Sequence, residues 1–156
     1  MTRLRADEGS AVVEFCLLSV LMLVPLVYLV MVLGRVQAAT LAAQSAAREA
    51  GRVFVTASDD ASGRGRAEAA AAIAFRDHGF DQPGTVSLDL GCDAVACLVP
   101  GARVEARTRV AVVLPGVPHL LDRVVPTRIE VEARQVVAVD RFRESGHSAG
   151  AEDGHG

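Results

Sequence analysis

The sequence predicts an α+β fold. A long amino-terminal helix, its first half in a membrane, packs its second half on a small antiparallel sheet of three to four strands. Three observations predict it. Phe15 to Leu33 is a run of 19 residues without charge, about the length a helix needs to cross the hydrocarbon of a bilayer. Val36 to Val53 is rich in alanine and lacks proline, so helix propensity stays high beyond the apolar run. Three later stretches alternate apolar and polar residues with period two, as half-buried strands do.

The elements follow in order. Residues 1–9 (MTRLRADEG) read as a short leader and residues 10–34 as the membrane helix. Pro25 lies in its middle and should kink it, because proline removes one backbone hydrogen bond. Gly34 and Arg35 mark the exit from the apolar run but not the end of the helix, which continues to about residue 55. Leu41, Ser45, Arg48 and Arg52 share one stripe of that second half. Ala39, Ala42, Ala43, Ala46, Ala47 and Ala50 give it faces of small residues, suited to close packing on the sheet, while the membrane half would pack on neighbouring helices. Thr56 to Gly65 (TASDDASGRG) has turn residues throughout and reads as a loop. Arg66 to His78 reads as a second helix stopped by Gly79, and Gln82-Pro83-Gly84 as a turn.

Thr85 to Leu90, Arg103 to Leu114 and Thr127 to Val139 are the strands. The first two are joined by GCDAVACLVPGA. Pro115 to Pro118 closes the second, and His119 to Val125 is a short connection with room for a helical turn. The outer faces of the strands carry Arg103, Glu105, Arg107 and Arg109 against Glu130 and Glu132, a solvated face with cross-strand pairing. Residues 35–143 thus form the folded domain. Residues 144–156 have no apolar residue except alanine and read as a disordered tail.

Composition limits the function. With 16 basic and 19 acidic residues the formal net charge is −3. That argues against a nucleic-acid partner, which calls for a basic face. The four histidines, His78, His119, His147 and His155, form no pair at ligand spacing. Asp59-Asp60 lacks the spaced acids of a calcium loop, and Gly63-Arg64-Gly65 follows no strand, so no phosphate loop is indicated. No nucleophile elbow or zinc-protease motif occurs. The expectation is a protein that is not an enzyme, with no cofactor, no metal and no small-molecule substrate.

Cys16 lies in the apolar run, where it packs as a small hydrophobe. Cys92 and Cys97 form a separate pair in the polar part. Without histidine nearby they do not make a zinc site. A disulfide is the expectation, with two free thiols as the alternative, and it fits a domain carried outside the cytosol.

The junction of leader and helix is the distinctive stretch. Glu8-Gly9-Ser10-Ala11-Val12-Val13-Glu14-Phe15 places an acid, Glu14, one turn inside an apolar face. An unpaired acid deep in lipid costs roughly 2.5–3.5 kcal/mol on insertion scales and usually has a partner. A glycine five residues before the acid, then Phe15 and a long apolar run, resembles a type IV prepilin processing site. The Glu14-Phe15 pair, the very short leader and the Gly-Ser-Ala-Val-Val-Glu-Phe string look most like TadE-family pseudopilins, minor components of tight-adherence (Flp-type) pilus machines. The resemblance covers residues 8–33; beyond them it is architectural only.

That resemblance implies a pilin-like fold and a set of roles. A prepilin peptidase would cleave between Gly9 and Ser10. Glu14 would be the fifth mature residue and would pair with the terminal amine of Ser10 on another subunit during assembly. Ser10 departs from the type IVa pilins, which have Phe there, and this leaves N-methylation open. The implied partners are membrane lipid, the peptidase, and other pilin subunits with their assembly machinery.

Arg3 and Arg5 favour a cytoplasmic amino terminus by the positive-inside rule, although Arg35 weakens the bias. The expected location is therefore the cytoplasmic membrane, spanned once, with the domain outside and at the cell surface after assembly. Two alternatives remain at this point. One is a membrane-anchored extracytoplasmic interaction module that keeps its leader, its Gly-x4-Glu spacing being chance. The other is signal-peptidase cleavage after Val36-Gln37-Ala38, although the apolar run exceeds the usual secretory core.

Overall fold

The computed structural model describes residues 7–114 and 128–142. Helix α1 runs from Asp7 to Val55 without interruption, 49 residues including Pro25. At 1.5 Å per residue it is about 74 Å long. It begins three residues before the expected start, so the Gly9–Ser10 peptide lies in its first turn. The leader's residues 1–6, the stretch from Pro115 to Thr127 with its expected turn, and the expected tail lie outside the described residues.

A four-residue connection, Thr56 to Asp59, returns the chain into α2, Asp60–Asp77. The expected loop over Thr56–Gly65 and helix start at Arg66 are corrected here: the helix starts six residues earlier. Asp59 is its N-cap, with an extended backbone and a side chain that accepts from the Ser62 N–H at 2.9 Å. An aspartate there satisfies one of the four orphan donors of the first turn. Gly63 belongs inside this helix because α1 comes close: a Cβ there would meet the Ala57 methyl at 3.0 Å and the Phe54 ring at 3.1 Å.

Helix α2 ends in a Schellman arrangement. The Phe80 N–H donates to the Phe75 carbonyl and the Gly79 N–H to the Arg76 carbonyl, both at 2.9 Å. Gly79 takes the left-handed conformation (φ 77°) that the motif requires. The motif folds Phe80 back under Phe75, and both rings are buried.

Three strands follow: β1 Val86–Cys92, β2 Arg103–Val113 and β3 Arg128–Ala138. They form an antiparallel meander in the order β1-β2-β3. The period-two pattern reads through directly. Val104, Ala106, Thr108, Val110 and Val112 of β2 face the helices and are buried, while Arg103 and Arg109 on the other face are exposed. The architecture is α+β in two layers, with both helices on one face of the sheet.

The core lies between the layers. Ala39, Ala42, Ala43, Ala46, Ala47 and Ala50 of α1 are all buried, together with Phe54, Phe75 and the inner valines of β2. Small residues let α1 sit close to both α2 and the sheet, since helix separation follows the side chains at the contact. At Gly51 the approach is tightest: a Cβ there would fall 2.9 Å from Cγ2 of Val137. The one buried polar side chain among the described residues, Thr108, donates from its hydroxyl to the Ala43 carbonyl of α1 at 2.8 Å. That bond satisfies a hydroxyl whose burial would otherwise cost free energy.

These contacts set the direction of the domain relative to α1. Ala106 of β2 lies near Gly51, Thr108 at Ala43, and Val112 and Val113 beside Arg35. Strand β2 is therefore antiparallel to α1. One end of the domain, with Phe80, Thr85 and Val113, sits where the apolar run ends. The other, with the β1–β2 loop, sits at the far end of α1.

Candidate functional site: the bare half of α1

From Ala11 to Met31 no side chain of α1 is shielded by the domain. Phe15 is 71 % exposed and Met22 equally so. Burying one Val, Leu, Phe or Met side chain stabilises by roughly 1.5–3 kcal/mol, so a row of them does not rest in water. This is one helix long and apolar enough to cross a membrane, and none of its apolar window is buried against the rest of the chain. Its composition points to lipid or to other helices as its surroundings.

Glu14 sits on this bare half. Positions three and four residues away on a helix share a face; for Glu14 these are Ser10, Ala11, Leu17 and Leu18. None is cationic, and among the described residues Glu14 makes no ion pair. The helix therefore brings Glu14 and the backbone of Ser10 to one face, one turn apart, and gives the acid no counter-charge among the described residues. Phe15 lies on the neighbouring face. Cys16 is free and exposed in the same stretch.

The other stretch considered for cleavage looks different. Val36 to Ala39 lies within unbroken α1, and Ala39 is fully buried. Cutting after Ala38 would require opening the helix where it packs in the domain core.

The far end carries the cysteine pair. Cys92 ends β1 and Cys97 is buried in the loop that follows; they are at disulfide distance, with Cα atoms 5.3 Å apart. The loop closes on β2 through Asp93, whose carboxylate accepts from the Arg103 N–H at 2.8 Å.

The outer sheet face is the solvated, paired surface that its alternation suggests. Arg109 and Glu132 are opposite in register and pair at 3.1 Å. Arg107 and Arg134 are also opposite, a like-charge pair, and Glu105 bridges both. The hydrogen bond from Arg107 and the neighbouring guanidinium charges hold the Glu105 carboxyl below its ordinary range, and the same carboxylate raises Arg107. Glu130 does not join: the register sets it opposite Ala111.

Two features were not read from the sequence. One is the Asp59 cap. The other is Arg35, whose guanidinium lies over the Phe80 ring, 5.4 Å from its centroid. The His78-Gly79-Phe80 string held the signal, since a glycine after a helix often brings the next apolar residue back onto the last turn.

No match was found among curated proteins or among solved structures. A family model for TadE-like proteins matches residues 9–52. The match starts at Gly9, includes Glu14 and Phe15, and stops before the second helix and the sheet. The matched stretch, residues 9–52, is α1 almost end to end.

Proposed function

We infer that the protein is a minor pilin or pseudopilin, a structural and assembly component of a tight-adherence pilus or a related secretion machine. The observation that carries this reading is the coincidence of the TadE-like match with one long helix whose first half is bare. The family match supports a component associated with a Tad pilus.

Before assembly the chain would span the cytoplasmic membrane once, amino terminus inside and domain outside. A prepilin peptidase would hydrolyse the Gly9–Ser10 bond and leave Ser10 with a free amine at the start of a helix. Apolar helices would then pack against one another, exchanging lipid contacts for helix contacts. Such packing has little intrinsic register, because apolar surfaces slide at small cost. Glu14 supplies the register. In a low-dielectric bundle its carboxylate is costly alone, and so is an unpaired amine, so only the arrangement that joins Glu14 to the Ser10 amine of a neighbour escapes both penalties. Phe15 would pack at the same interface. The work is structural, and no step in it calls for catalysis by this chain.

The test is Glu14→Ala in cells that make the pilus. The variant should remain in the membrane fraction at normal level and be absent from sheared or purified filaments. Normal incorporation would contradict the assigned role of Glu14.

A further inference from the structure

We propose that the concavity at the membrane-proximal end of the domain is a phospholipid headgroup site, with Arg35 as its phosphate contact. It rests on the membrane-span reading of α1. About 200 Å³ of open concavity is lined by Arg35, Phe80, Gln82, Thr85, Val112 and Val113. That is below the roughly 300–1,000 Å³ of sites that enclose a whole small ligand, and suits one end of a larger molecule.

Its depth in the membrane follows from the helix. Arg35 stands 21 positions after Glu14, about 32 Å along α1, against a hydrocarbon thickness of about 30 Å. Arg35 stands two residues past the uncharged run that ends at Leu33, so it reaches the headgroup layer on the domain's side. The domain begins at the same level: Val32 and Val36 are already half-buried. No gap separates the end of the apolar run from the start of the folded domain, so the α2–β1 turn rests on the lipid surface.

The chemistry fits a phosphate diester beside apolar chain. Arg35 makes no ion pair among the described residues, yet it is not a loose surface arginine. The Phe80 ring, itself 7 % exposed, holds the guanidinium by a cation–π contact. Phe80 is in turn fixed by the Schellman bond to Phe75. A guanidinium so placed offers a planar fork of donors, which matches two phosphate oxygens. Val113, half exposed beside the concavity, gives the apolar surface that a glycerol ester would meet. Asp77 and Asp81 flank the turn, so its net charge is low. The site depends on one fixed guanidinium rather than on a basic patch.

The full chain in lipid nanodiscs tests this by hydrogen exchange. The backbone N–H groups of Asp81, Gln82 and Gly84 have no hydrogen-bond partner among the described residues, so they report directly on shielding of the turn. In phosphatidylglycerol discs they should exchange several-fold more slowly than in discs of digalactosyldiacylglycerol, which has no phosphate. Arg35→Gln should remove that difference while exchange of the 93–99 loop stays unchanged. Equal exchange in the two lipids, with the chain inserted and resistant to carbonate extraction, overturns the proposal and leaves the membrane span intact. A chain that fails to insert in either lipid overturns the span and the site together.

Discussion

Among the described residues Glu14 has no ion-pair partner, and it sits on a stretch of α1 where every side chain is exposed. At this scale each unusual residue answers a local demand. Gly51 is small because Val137 of β3 lies against it. Gly51→Val should lower stability by about 1–3 kcal/mol, the usual cost of overpacking. Val137→Ala in the same chain should recover part of it. Denaturant melts arranged as a double-mutant cycle check this; additive effects would mean that the two residues do not meet.

Asp59 makes a pH prediction. Hydrogen bonds from the Ser62 N–H and hydroxyl, and from Ser58, hold its carboxyl below its ordinary value. A group with a lowered folded pKa binds its proton more readily in the unfolded chain. Its contribution is therefore present above the unfolded value, near pH 4, and is lost as pH falls through the folded one. Asp59→Asn keeps a capping side chain but cannot titrate. Its melting temperature should fall less steeply below about pH 4 than the wild type's. Glu105, lowered by its arginines, leaves a residual slope of the same sign. Equal slopes for the two proteins would contradict the cap's part in acid stability.

At the scale of elements, the strands were the most legible part. Period two places Val104, Ala106, Thr108, Val110 and Val112 on the buried face without help from tertiary structure. The first half of α1 was equally plain, because a long uncharged run admits few alternatives. The start of α2 was not. Ser58, Asp59, Asp60, Gly63 and Gly65 look like a loop, and only the close approach of α1 explains a glycine inside a helix there. The cap was visible as residue type but not as role. Helix α1 also hides a division that its continuity masks. One face of its second half is core, with Ala39, Ala42, Ala43, Ala46, Ala47, Ala50 and Phe54 buried, while the residues from Ala11 to Met31 contribute nothing to the core. A chain beginning at Gly34 should therefore fold and stay soluble, with a cooperative melt and the same far-ultraviolet strand signal. Aggregation or loss of cooperativity would mean that the apolar half supports the fold.

At the scale of the whole molecule, the chain is a rod with a domain around its far half. The junction at Glu8–Phe15 is legible in the sequence by resemblance, and the family match over residues 9–52 begins inside it, at Gly9. The roles of Gly9, Ser10, Glu14 and Phe15 are proposals that the fold accommodates: it places Ser10 and Glu14 on one face and leaves the apolar half free to exchange lipid for neighbours. What the sequence could not supply was the contact behind the height we propose for the domain on the membrane. That depends on Phe80 returning under Arg35, a contact set by tertiary structure. The role proposed for Glu14 depends on the first residue of the mature protein. Amino-terminal sequencing of the protein purified from its own membrane should read Ser10-Ala11-Val12-Val13-Glu14. A start at Met1 or Thr2 would make the chain an unprocessed anchor, and a start at Ala39 a secreted domain; either would contradict the account.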